Sequence, residues 1–393
     1  MANTFVTNKK TDLVALRAAE SAAYLTVGSK SYFGDQLEGK RNGQSYEFVI
    51  RDAGEYATGM DMTGHVSNLV ERKVTKDIKL GNIVIDTNLL EKVTDVNWDK
   101  EIAYPNGKKL INGVIQDTVK DDLGRQNVAF VGKGWLPLSK ASRFLGSIST
   151  EARYAFIDPM IDSVMAAAGK GFDPVDTDPL YKTGMLGKAF GAEFRESQFM
   201  PSLVISAKLS AELASATVTS YATGVDYDTL KLSGVTETIP AGTPINIAGV
   251  YATDLVGDKT SSLKAFIAIE NATNGAVKVR KVDFTGVGTK EATKIPAAND
   301  KVVNAIEEGE YFTGIFRIDG AMEFDTLSKL DWSNADSTSE SIEGIKVHEG
   351  RAVDVLTGSN KTRWAVASLA GFVEPRGCAY VCVKDSTANL VTM

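Results

Sequence analysis

The residues in this chain best suited to chemistry are few: two cysteines, Cys378 and Cys382, and two histidines, His65 and His348. The cysteines stand four apart in Cys378-Ala-Tyr-Val-Cys382, which raises a metal half-site or a redox pair. Structural zinc takes four ligands, and with no second cysteine pair the set falls short. On a strand, side chains four apart share a face but lie roughly 13 Å from one another, beyond disulfide reach. The pair therefore reads as buried, reduced cysteines on a core strand. Gly286-Val-Gly-Thr-Lys290 has the composition of a phosphate loop without the G-x-x-x-x-G-K-[ST] spacing or a following helix, and reads as a β-turn. His65 has Asp61 and Ser67 near it, an ordinary loop grouping with no triad pattern. His348, in Lys346-Val-His-Glu349, is expected as an exposed strand residue rather than a metal ligand. Asp52 with Glu55, and Asp121 with Asp122, could hold a cation, but carboxylates this frequent usually solvate a face. The glycines from Gly184 to Gly191 come with no basic cluster suited to nucleotides. The expectation is a protein without enzymatic activity, cofactor or metal.

With no reaction to position, the elements themselves must carry the function, and the stretch from Gln44 to Gly124 organises them. Tyr46, Phe48 and Ile50 alternate with Glu47, Val49 and Arg51. A tip rich in Gly and Met follows, and a return run from Leu69 to Ile85 places Val70, Val74, Ile78 and Leu80 among Glu71, Arg72, Lys73, Lys76, Asp77 and Lys79. This period-two pattern predicts a ribbon with one apolar and one charged face. An isolated ribbon is marginal in water, so something must cover the apolar face. Another molecule is the first reading and a sheet within the chain is the alternative. Asn88 with Glu91 suggests a capped short helix. Pro105 opens a helix whose stripe is Leu110, Ile111, Val114, Ile115, Val119 and Leu123, with Gly124 at its C-terminal cap. Lys108-Lys109 near its start and Asp121-Asp122 near its end oppose the helix dipole and call for partners or solvation there.

The rest of the 393 residues is long enough for two or three domains. Hydrophobic content of 43% and charged content of 24% are those of a folded soluble protein. No stretch approaches the roughly 20 apolar residues that span a bilayer. The N-terminus lacks a signal-peptide pattern, so synthesis in a cytoplasm is expected. A net charge of −7, from 43 basic and 50 acidic residues, excludes a dedicated nucleic-acid binder. Residues 1–35 read as an arm, with Asp12 capping a helix that carries Leu13, Val14, Leu16, Ala19 and Ala23. The arm is either a frayed terminus or a segment docked on a neighbour. From Trp135 to Met200 the pattern is helical and loop-rich, with stripes Leu138, Ala141, Leu145, Ile148 and Ile161, Val164, Met165, Ala168. Between Ser215 and Ile306, short strands such as 244–250, 264–269 and 276–282 predict a small β-barrel or sandwich. Strands resume at 311–318, 363–369 and 379–383, and Ser333 to Glu343 reads as an exposed loop.

The segment order resembles tailed-bacteriophage major capsid proteins with the Hong Kong phage capsid fold, more narrowly the podovirus coat-protein type with an inserted β-domain. Two passages carry this: Gln44 to Gly124, similar to the extended loop and spine helix, and Tyr181-Lys-Thr-Gly184, Phe190-Gly191, Glu196-Ser197 and Pro201, similar to the axial segment that leads into the insertion. Ala241 to Val250 then resembles an early strand pair of the inserted domain. Gly107 and Gly113 inside the spine helix depart from the pattern.

The resemblance implies an α+β phage capsid fold. It has an N-terminal arm (1–35) and a peripheral domain (36–124) with extended loop 44–85 and spine helix 105–124. The axial domain is in two parts (125–214 and 307–393), with an inserted small β-barrel (215–306) between them. It implies a subunit of an icosahedral shell around double-stranded DNA, built from hexamers and pentamers in the bacterial host cytoplasm. A scaffolding protein, a portal and a decoration protein are expected partners, DNA is touched weakly and non-specifically, and no membrane is involved. Subunit contacts are expected from Phe48, Ile50, Arg51, Tyr56, Met60, Met62, Glu71, Arg72, Val74 and Lys76. The alternative is another virion component, a tail tube or fibre protein.

Overall fold

The computed structural model describes residues 4–32, 45–51, 71–86, 98–168, 187–285, 290–327, 330, 336–354 and 359–385. The chain divides into two compact units. One gathers Met1–Glu47, Val74–Asp121 and Met322–Gly371, the other Phe48–Lys73, Asp122–Ala321 and Phe372–Met393.

In the first unit, apolar alternation builds a six-stranded sheet in the order β1 (Ser29–Lys30), β17 (Met322–Thr326), β20 (Ser359–Phe372), β19 (Ile345–Asp354), β18 (Asp336–Ile342), with β4 (Lys79–Asp86) also paired to β20. Helix α1 (Thr4–Glu20) packs on β18 and β19, with Val14, Ala15, Ala18 and Ala19 buried. A short α2 (Ala23–Thr26) follows. Asp12 is not a cap but lies in the middle of α1, because the apolar stripe continues past it on both sides. The described part of the arm is neither frayed nor left for a neighbour, since it covers the sheet of its own unit. Ser333 to Glu343 was expected as a loop, yet 336–342 is a strand. Only Ile342 in it is apolar, so alternation cannot reveal it. The two-residue turn Glu343-Gly344, with φ of 50° and 79°, has the positive dihedrals that suit the twist of a hairpin.

The helix α3 (Tyr104–Asp122), entered through a π-helical turn at Asp99–Ala103, buries every residue of its predicted stripe. Pro105 occupies its first turn, and Gly124 adopts φ of +88° beyond its end. Its unfavourable acidic end has partners: Lys79 pairs with Asp121, the Phe372 N–H donates to Asp122 at 2.9 Å, and Arg280 Nε donates to the Leu123 carbonyl at 3.2 Å.

The second unit holds a seven-stranded sheet in the order β5 (Val128–Lys133), β21 (Cys378–Lys384), β16 (Gly309–Ile318), β6 (Arg153–Ile157), β8 (Ala192–Glu196), β7 (Lys188–Ala189), with β9 (Ser202–Ile205) paired to β16. Helices α4 (Leu136–Ile148), α5 (Pro159–Ala168) and α6 (Ala207–Ser215) belong to the same unit, so the helical reading of Trp135 to Met200 holds for two helices and misses β6 and β8 between and after them. Cys378 and Cys382 are free and fully buried on β21, as expected, and burial pushes both thiols up.

The strands expected between 215 and 306 form two three-stranded antiparallel sheets. One is β10 (Thr217–Ala222), β11 (Tyr227–Ser233) and β14 (Ala276–Arg280); the other is β13 (Lys259–Ile267), β12 (Pro244–Thr253) and β15 (Val302–Val303). The two sheets are linked at both sides: on one by the Thr217↔Lys301 bridge and the Val302 N–H donating to the Ala216 carbonyl at 3.0 Å, on the other by the Ile269 N–H donating to the Lys278 carbonyl at 3.1 Å. Asn127 ties this region to the large sheet with all its polar groups: its N–H donates to the Cys378 carbonyl at 3.0 Å, its carbonyl accepts from Ala265, its amide donates to the Thr253 carbonyl at 2.8 Å, and its Oδ1 accepts from Lys264. Lys264, only 1% exposed, is neutralised by Glu291 at 3.3 Å.

The two glycines inside α3 have opposite roles. A Cβ on Gly107 would lie 2.7 Å from the Val14 carbonyl and 2.9 Å from Arg17 Cβ, so glycine permits α1 and α3 to touch there, whereas a Cβ on Gly113 meets nothing. Gly113→Ala is therefore expected to stabilise the protein by about 1 kcal/mol through helix propensity. Gly107→Ala is expected to destabilise it by about 1–3 kcal/mol through overpacking. Urea unfolding of both variants checks the pair.

Candidate assembly surface

Seven of the residues expected at subunit contacts fall on described strands. Phe48, Ile50 and Arg51 lie on β2 (Ser45–Arg51); Glu71, Arg72, Val74 and Lys76 lie on β3 (Glu71–Asp77). β2 and β3 pair only with each other among the described residues, as a two-stranded sheet. Tyr56, Met60 and Met62 lie outside the described residues, as do His65, the Asp52 and Glu55 pair, the Asn88–Glu91 capping pattern, and 286–289 of the glycine-rich turn.

The return run breaks at Ile78, which is buried, and continues as β4. β4 pairs with β20 over eight positions, from Ser368↔Lys79 to Lys361↔Asp86. Half of the expected return run is thus a strand of the within-chain sheet, and only β3 remains in the ribbon. Lys76, placed on the charged face in expectation, is buried at 7% exposure, and its charge acts on Glu323 of β17. It serves the interior of its own chain. Glu323 also accepts from the Tyr32 N–H at 3.4 Å. Burial and the neighbouring Asp325 carboxylate push its pKa up to about 9. A carboxyl at the root of the ribbon therefore keeps its proton near neutrality.

Beside this root, a second buried carboxylate fastens the arm. Glu349 on β19, 2% exposed, accepts from the Thr11 hydroxyl of α1, from Trp364 Nε1 of β20 at 3.1 Å and from Arg351 Nε at 2.7 Å. Trp98 packs edge-on against Trp364, with ring centroids 6.1 Å apart. Arg17 pairs with Glu20 within α1 and joins the helix to Asp99; both carboxylates raise its pKa, while it lowers that of Asp99. His348, expected to be exposed, is buried instead. Its Nε2 lies 3.0 Å from the Leu327 carbonyl, and burial lowers its pKa. The strand's solvent face was misjudged because neither face of β19 is open there: α1 covers one and the Leu327 segment meets the other.

Neither Glu349 nor Glu323 was singled out from sequence. A signal existed for Glu349, which shares a strand face with Ile345 and Val347 and so had to point inward. Among the described residues no cluster of His, Cys, Asp and Glu could hold a metal ion, and Asp121 and Asp122 are engaged by different partners.

No family profile matches the sequence, and no curated protein matches it. Solved structures do. The chain is similar to one from the capsid of Ralstonia phage GP4, at 8% identity and TM-score 0.44, covering 93% of this chain and 90% of that one. It is similar to a chain of the capsid of Cyanophage P-SCSP1u, at 11% identity and TM-score 0.41, covering 91% and 89%. A third, from Mycobacterium phage Che8, has 10% identity and TM-score 0.43 and covers 90% and 89%. All three come from phages.

The raised pKa of Glu323 has a definite sign. A carboxyl whose folded pKa exceeds its unfolded value contributes its full stability below the unfolded pKa and loses it as pH rises toward about 9. Glu323→Gln keeps the uncharged state at every pH. Its melting temperature relative to wild type is expected to rise by a few degrees between about pH 5 and about pH 8. Thermal unfolding followed by circular dichroism at both values checks this, and an unchanged difference contradicts it.

Proposed function

We propose that this chain is a major capsid protein, which assembles with copies of itself into the icosahedral shell of a tailed phage around double-stranded DNA. The observation that carries the reading is the ribbon of β2 and β3. Among the described residues it is a sheet of two strands, yet β3 runs on into β4 of the six-stranded sheet, with Lys76 buried near the protonated Glu323. Two strands alone are marginal in water, so a segment continuous with the sheet at one end and paired with no other strand among the described residues suits a contact completed by another copy. Chains similar to this one come from capsids; the reading itself rests on the ribbon and on the order of arm, ribbon, long helix, sheet and β-insertion.

The physics of a shell fits these parts. Repeated heterologous contacts close when their geometry allows, here as hexamers and pentamers. Each contact can be weak, because a subunit already held by some neighbours faces a high effective concentration of the others. Phe48, Ile50 and Val74, with Tyr56, Met60 and Met62 of the tip, form the apolar part of the contact. Arg51, Glu71 and Arg72 form ion pairs each worth under about 1 kcal/mol where exposed. The net charge of −7 suits a container whose wall must release its DNA. A scaffolding protein, a portal and a decoration protein complete the set of partners, and assembly takes place in the bacterial cytoplasm.

The test is electron microscopy and sedimentation of the purified full-length protein beside a variant lacking residues 53–64. Closed shells or polyheads are expected from the intact chain, and a folded but unassembled product from the deletion. Rods or fibres from the intact chain would point to a tail component. Shells unchanged by the deletion would remove the ribbon from the argument.

A further inference from the structure

The end strand of the seven-stranded sheet borders a groove that the shell reading does not use. β5 is paired along one side to β21, in parallel, and along the other side it pairs with no strand among the described residues. Beside it lies a hollow of about 540 Å³, whose lining includes Phe130 and Leu136. The hollow continues into a second, of about 390 Å³, that shares Phe130, Lys140 and Asn246 with the first. The whole groove belongs to the second unit.

Three features of this groove point to a ligand. The residues of β5 from Ala129 to Lys133 are half-buried or exposed and line the hollow, and the side of this strand away from β21 pairs with no strand among the described residues. Asn246, 6% exposed, lines both hollows, and its Oδ1 has no hydrogen-bond donor. A buried acceptor left open is costly, and a ligand N–H would satisfy it. Lys133 and Lys140 stand exposed at the groove, and among the described residues neither takes part in an ion pair. The acidic residue lining it, Glu307, is already paired with Lys384 at 3.3 Å.

We propose that this groove binds an extended, acidic peptide segment of another protein, which adds to the free edge of β5 as a strand and sets its carboxylates against Lys133 and Lys140. Strand addition draws its affinity from main-chain hydrogen bonds and its selectivity from the side chains beside the edge. The backbone edge and the open amide oxygen are matched by a peptide's N–H and C=O groups. A nucleic acid strand would meet the lysines but leave the edge unmet, so the peptide is the better occupant. β5 offers six residues, so a segment of about 20 Å fills it. None of this depends on shell formation.

The experiment is fluorescence anisotropy of the full-length, unassembled chain with a fluorescein-labelled heptapeptide of alternating Glu and Val. Saturable binding is expected, with a Kd of about 10–100 µM. Lys133→Glu with Lys140→Glu, both at exposed positions, is expected to weaken it at least about tenfold. N-methylation of alternate peptide amides is expected to do the same, because it removes the strand pairing. Circular dichroism of the double variant confirms that it is folded. Absence of saturation at about 1 mM peptide overturns the proposal. Equal binding of a Lys-Val heptapeptide overturns it as well. So does an oligothymidylate that binds as tightly while N-methylation has no effect, because the groove would then be reading charge alone. Either result leaves the shell assay unaffected.

Discussion

Glu349 is a carboxylate almost without access to water, and a lone buried charge of that kind would be very costly. It is tolerated because donors from three places converge on it: the Thr11 hydroxyl, the Trp364 indole and the Arg351 guanidinium. The constraint runs outward from there. Thr11 brings α1 onto the sheet, and α1 covers β18, a strand too polar to find its place by burial. Trp364 sits opposite Glu349 in one ladder and opposite Ile83 in the next, so the same row continues into β4. The register of β4 is what aims β3, and with it the ribbon. One satisfied carboxylate thus helps to fix an arm, a sheet and the root of the proposed contact.

The second unit solves a similar problem with an amide. Asn127 stands between the long helix and β5, and its four polar groups reach β21, β12 and β13. A β-rich region of some ninety residues could swing on its connections. Here the region is held instead by a buried Lys264–Glu291 pair and by Arg280, which accepts the task of capping the helix at Leu123. Arg153 does comparable work at the other side of the large sheet. Its guanidinium donates to the Ser142 carbonyl at 2.8 Å, and Gly146 and Gly191 approach it so closely that a Cβ at either would come within 2.7 Å. The tight Phe190-Gly191 turn, with φ of 52° and 75°, is shaped around that side chain.

What was legible in the sequence follows from where packing has a period. The stripe of α3, the central strands around 311–318 and 379–383, and the short strands of 244–280 could be read because each buries a regular face. Asp12 misled because a residue that suits a cap also stands in mid-helix, here half-buried and hydrogen-bonded with Glu340 of β18. β18 and His348 were misread for a shared reason: their environment is set by α1 and by the Leu327 segment, remote in sequence. Lys76 shows the limit for charged ribbons, since alternation identifies a face without saying which end of that face is buried. Glu349 owes its role to a partner 338 residues away, Thr11, which no local pattern encodes, whereas Glu323 owes its raised pKa to burial first and then to the neighbouring Asp325.

β21 is synthesised after every strand it touches. It lies between β5 and β16 in the large sheet, and its Cys378 carbonyl receives the N–H of Asn127, some 250 residues earlier. Contacts of such long range are slow to form, and here they are impossible until nearly the whole of this sequence has been translated. The large sheet therefore lacks its centre until synthesis has passed β21. Synthesis and completion of this sheet are separated in time by the topology itself, so fragments still on the ribosome lack the strand that joins β5 to β16.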